Sequence, residues 1–105
     1  MNSRELSENK EKKRRISVRV AIVVKIHSEY FREADEWKTE FSRETGQEVE
    51  LIDPETIEGE IFASTRDIVQ YPSLVILGGS GEIVKKWSGS PLPQFDQVSY
   101  MLRSV

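Results

Sequence analysis

The chain contains no cysteine, and only one histidine among its 105 residues. The first absence removes disulfides, thiolate nucleophiles and thiolate metal ligands together. The second leaves a zinc or other transition-metal site almost without ligands, so no metal or cofactor is expected. No apolar run approaches the roughly 20 residues that span a bilayer. The polar N-terminus also lacks the apolar centre of a secretory signal, so a cytoplasmic protein with no membrane partner is expected. An excess of base is missing too. A formal net charge of −3 and a pI near 5.2 speak against a surface given over to nucleic acid. A hydrophobic share of 37% beside a charged share of 31% suits one folded domain rather than a disordered chain.

Residues 1–15 are polar and end in Lys12-Lys13-Arg14-Arg15. With one leucine to bury, they are expected to form a flexible charged tail ahead of a domain spanning residues 16–105. The pattern then changes. Ile16, Val18, Val20, Ile22, Val24 and Ile26 recur with a period of two, which predicts a strand. Ala21 and Val23 on its second face mark it as an interior strand, covered on both sides. From Ser28, a candidate N-cap, to Gly46, a candidate stop, Tyr30, Ala34, Trp37 and Phe41 recur at helical spacing among charged residues. A short strand over residues 48–52 follows, parallel to the first because a helix connects them.

Asp53-Pro54 predicts the start of a second helix, with Ile57, Ile61, Phe62 and Ile68 as its apolar face and Gly59 as a weak point. Two more strands, over residues 73–77 and 82–87, are joined by Gly78-Gly79-Ser80-Gly81 as a tight hairpin. Pro91 and Pro93 precede a last helix that buries Phe95, Val98 and Leu102. The predicted order is β-α-β-α-β-β-α: an α/β domain with a central mixed four-stranded sheet flanked by three helices.

That order resembles the thioredoxin-like fold over residues 16–105. The most specific part is Tyr71-Pro72 leading straight into an apolar strand, then a glycine turn, a strand and Gly89. The resemblance implies that Pro72 is a cis-proline beside the functional end of the sheet. It also implies a groove there that accepts an extended peptide through backbone hydrogen bonds. The family's Cys-x-x-Cys motif is absent: the corresponding stretch reads His27-Ser28-Glu29-Tyr30-Phe31. Thiol–disulfide exchange is therefore excluded, and a non-redox binding or scaffold module that is not an enzyme is expected.

The candidate groove comprises His27, Ser28, Tyr30, Tyr71, Pro72, Trp87 and Ser88, with a protein or peptide as partner. Ser28 reads first as an N-cap. Its second reading is a hydroxyl that handles glutathione or serves a vestigial enzyme, with His27 as a neighbouring base but no third orienting group. Trp87 either covers the core beside the last helix or stacks on a partner. The glycine-rich turn lacks a P-loop ending and a following helix, so it reads as a hairpin rather than a phosphate site. Lys12, Lys13, Arg14 and Arg15 are candidate polyanion contacts, for nucleic acid or the ribosome. Acidic neighbours and the lack of interleaved aromatics count against that reading. A homodimer through an edge strand or the first helix completes the expectations.

Overall fold

A computed structural model of the protein describes residues 18–105. The expected tail, with Lys12, Lys13, Arg14 and Arg15, lies outside the described residues. The alternating segment forms β1 (Arg19–Val23), with Val20, Ala21, Ile22 and Val23 all fully buried. It is sandwiched between β2 (Val49–Ile52), to which it runs parallel, and β3 (Ser73–Leu77), to which it runs antiparallel. β4 (Ile83–Ser88) pairs antiparallel with β3, giving the order β2-β1-β3-β4. The expected mixed sheet with an interior first strand is thus observed.

Among the described residues, three helices cover the two faces of the sheet. α1 (Phe31–Thr45) and α3 (Phe95–Ser104) lie on the side of Val20, Ile22, Leu74 and Ile76, where Ala34, Trp37, Phe41 and Val98 complete the core. Trp37 stacks on Phe41 with ring centroids 4.6 Å apart, and Phe95 meets both rings edge-on at 5.1 and 5.3 Å. Such pairings add about 0.5–1.5 kcal/mol each beyond the area they bury. α2 (Ile57–Thr65) covers the opposite side, with Ala63 and Ile68 against Ala21, Val23, Val75 and Leu77. Gly46 ends α1 at φ +79°, its N–H donating to the Ser42 carbonyl. The hairpin closes through Gly81 N–H to the Gly78 carbonyl and Gly78 N–H to the Glu82 carbonyl.

The helix starts differ from expectation. α1 begins two residues later than a Ser28 cap would place it, with Tyr30 at the N-cap position and no side-chain cap. The cap of α2 is Thr56, whose hydroxyl oxygen accepts from Gly59 N–H at 3.0 Å. Asp53 instead closes the preceding turn by accepting from Glu55 N–H at 2.9 Å. The apolar face of α2 is corrected in part: Phe62 and Ile68 pack on the core as expected, but Ile57 and Ile61 are 78% and 55% exposed, whereas Gly59 and Ala63 are buried. Close approach explains it. A Cβ on Gly59 would lie 1.8 Å from the Asp53 carbonyl oxygen, so only the smallest residue lets the helix turn back over its own entry.

Candidate functional site

The C-terminal ends of β1 and β4 and the N-terminal end of β3 emerge at one end of the sheet. Those strand ends lead to residues 24–30, 66–72 and 89–94, and β2, parallel to β1, leads there to residues 53–56. The Tyr71–Pro72 and Ser90–Pro91 peptides are both cis. Pro72 is fully buried, and its carbonyl accepts from Gly89 N–H at 2.7 Å, so the strand that ends at Ser88 is stitched to the start of β3. Tyr71 between them is half-buried and packs with the α2-side core, its ring 5.7 Å from Lys25 Nζ.

The backbone around Tyr71 is engaged on both sides. Gln70 offers its carbonyl to the Ser73 hydroxyl, and Pro72 offers its own to Gly89. Tyr71 differs: among the described residues neither its N–H nor its C=O has a hydrogen-bond partner. A peptide group without a protein partner must be satisfied by water or by a ligand. β4 is an edge strand whose only neighbour among the described residues is β3; its open edge faces away from β3, and Ser88 at its end is exposed.

The first connection supplies the other wall. Ser28 donates its hydroxyl proton to the Lys25 carbonyl at 2.8 Å and accepts from Tyr30 N–H at 3.3 Å, which closes the turn leading into α1. Those partners are backbone groups and not the His27 ring, and His27 is itself exposed. Tyr30 is 37% exposed, and Ile26, which the alternation placed on the apolar face of the first strand, lies beyond the end of β1 and is 47% exposed. His27, Ser28, Tyr30, Tyr71, Pro72 and Ser88 therefore all lie at this end of the sheet. Trp87 does not join them in one groove. It pairs with Leu74, so its ring points to the α1 and α3 side, opposite the side on which Tyr71 packs.

A further residue organises the site. Glu33, on the first turn of α1, accepts from the Ser90 hydroxyl through Oε1 and from Leu92 N–H through Oε2, each at 2.8 Å. One turn further on, Trp37 Nε1 donates to the Pro93 carbonyl at 2.8 Å. Two side chains spaced i and i+4 on α1 thus hold residues 90–93 and, through Gly89, the Pro72 stitch. That spacing was the only signal available in the sequence, where Glu33 is one of several carboxylates on a charged helix.

At the other end of the sheet Arg19 and Glu50 form a bidentate pair, with two N–O distances of 2.8 Å. The hydrogen bonds from Arg19, opposed by burial and aided by its charge, hold the Glu50 carboxyl below the usual carboxylate range. Glu50 raises the Arg19 guanidinium in return. Among the described residues no cluster of three or more His, Asp or Glu side chains could hold a metal ion. No helix among them is long and apolar enough to cross a membrane.

No protein-family model and no curated protein matches the chain. Solved structures do. A mutant thioredoxin of Halobacterium salinarum superposes with a TM-score of 0.68 at 20% identity, over 93% of this chain and 82% of that one. An uncharacterised thioredoxin-like protein of Clostridium perfringens gives 0.67 at 18% identity, over 83% and 69%. A Schistosoma mansoni thioredoxin gives 0.65 at 16% identity, over 95% and 89%. These identities speak for the fold alone. The chain has a thioredoxin-like fold in which no Cys-x-x-Cys motif is present.

Proposed function

We propose that this domain is a non-redox binding module that captures an extended protein segment at the Pro72 end of its sheet. The observation that carries the reading is the N–H and C=O of Tyr71, which have no hydrogen-bond partner among the described residues. An extended peptide laid across Tyr71 supplies one acceptor and one donor, and its backbone satisfies both groups without any thiol. Tyr30 and Ile26 offer apolar contact for its side chains, and His27 and Ser88 form a polar rim. Ser28 serves the turn in this reading. Its hydroxyl already donates to one backbone group and accepts from another, which argues against a role as nucleophile.

Selection from a random-peptide library, followed by affinity measurement, tests the reading. Extended peptides are expected to bind, and Tyr30→Ala is expected to weaken them about five-fold while leaving the fold intact. Selected peptides whose affinity is indifferent to Tyr30→Ala and to Ile26→Ala, in folded variants, would overturn it.

A further inference from the structure

Trp87, on the face of the sheet opposite Tyr71, forms part of a second feature. Trp87 pairs with Leu74 and Lys85 with Ile76, so both side chains project on the α3 side of β4. There they meet Asp96, Tyr100, Met101 and Arg103 of α3 around an open cleft of about 520 Å³. That volume lies within the 300–1,000 Å³ typical of small-molecule sites. Its floor is apolar and aromatic: Trp87 and Met101 are half-buried and pack on the core, while Tyr100 stands 63% exposed at the rim. Lys85 Nζ is 5.6 Å from the centroid of the Trp87 ring.

The charges are unbalanced. Lys85 and Arg103 have no ion-pair partner among the described residues, and they face one carboxylate, Asp96. Asp96 lies in the first turn of α3 and Arg103 in the last, about 10 Å apart along the axis. A ligand complementary to this lining has a flat face for Trp87 and Tyr100, an edge for the Met101 sulfur, and negative charge for the two cations. We infer that the β4–α3 cleft binds a small planar aromatic molecule carrying a carboxylate or a phosphate. This site is independent of the peptide groove, and the two stand or fall separately.

The test is a proton–nitrogen NMR titration of the full chain with three probes: indole-3-acetate, adenosine monophosphate, and neutral indole-3-acetamide. Saturable shifts are expected at the Trp87 indole N–H and at the Lys85, Tyr100 and Arg103 amides. The Trp37 indole N–H, bonded to the Pro93 carbonyl, serves as an unmoved reference. At least one of the acids should bind about five-fold more tightly than the amide, the effect of two half-screened cations. The K85Q/R103Q double variant should lose that preference while still binding the amide. Binding of the indole acid alone identifies a carboxylate ligand, and binding of the nucleotide alone a phosphate ester. The inference is overturned if neither acid moves these resonances, if the amide binds equally well, or if the same resonances shift with protein concentration alone.

Discussion

Glu33 is the residue whose removal most directly probes how the site is held together. Its two carboxylate oxygens accept from the Ser90 hydroxyl and from Leu92 N–H, each at 2.8 Å. Hydrogen bonds to a charged acceptor contribute about 1.5–3 kcal/mol, and a buried donor left unpaired costs about 1–3 kcal/mol. Ser90 is exposed and can turn to water, so its bond counts at or below the low end. Leu92 is only 7% exposed, so its amide is left without a partner. Glu33→Ala should therefore lower stability by about 2–3 kcal/mol, or roughly 10–20 °C in Tm for a domain of this size. Glu33→Gln keeps a carbonyl oxygen for Leu92 N–H and turns its NH₂ toward the Ser90 oxygen, so it should cost only about 1 kcal/mol. Urea denaturation of Glu33→Ala, Ser90→Ala and the double variant should show a coupling of about 1 kcal/mol. Hydrogen exchange at the Leu92 amide should accelerate in Glu33→Ala. The reasoning is refuted if Glu33→Ala stays within about 0.5 kcal/mol of the parent with Leu92 exchange unchanged.

Three further outcomes follow from the packing and the charge pairs. Gly59→Ala should destabilise by at least about 2 kcal/mol in urea denaturation, although alanine is the better helix former by about 1 kcal/mol, because its Cβ would meet the Asp53 carbonyl at 1.8 Å. Ile57→Ser, at a position 78% exposed, should change stability by no more than about 0.5 kcal/mol; a loss above about 2 kcal/mol would place Ile57 in the core after all. The Arg19–Glu50 pair is nearly half exposed on both sides, so it contributes at most about 1 kcal/mol. The folded Glu50 carboxyl lies below its unfolded value of about 4.3. Its contribution is therefore fully present above that value and is lost as pH falls through the folded one. The stability difference between the parent and Glu50→Gln should be constant above about pH 5 and shrink on acidification.

Much of the fold was legible because it rests on periodicity and turn chemistry. The period of two across residues 18–24, the apolar run of β3 and the four-residue glycine turn mark the sheet. Trp37 and Phe41, with Gly46 after them, mark α1. The misreading of α2 has a physical cause. Where a helix approaches its neighbours closely, small residues face inward and large ones are displaced outward, so Ile57 and Ile61 mimic a core face while Gly59 and Ala63 make it. Trp87 takes the first of its two readings, covering the core beside the last helix, but which of the two applied was hidden for another reason. It depends on strand register through a hairpin with an irregularity between Ile76 and Leu77, and one residue of slip sends every side chain to the other face. The candidate site was legible only in outline. Tyr71-Pro72 and the His27–Tyr30 turn could be placed, but the open groups of Tyr71 belong to the backbone and leave no trace in side-chain identity. Glu33 was lost among carboxylates that look alike until the loop at Ser90 and Leu92 is folded against one of them.

The peptide-capture reading is tested most directly at the Tyr71 backbone. In a proton–nitrogen NMR titration of the full chain with a selected extended peptide, the Tyr71 N–H should shift saturably and exchange more slowly with solvent. The amides of Ser28, Ser88 and Gly89 should move with it, and the Glu50 amide at the far end should stay still. Saturating binding that leaves Tyr71 and its three neighbours unmoved would contradict the account.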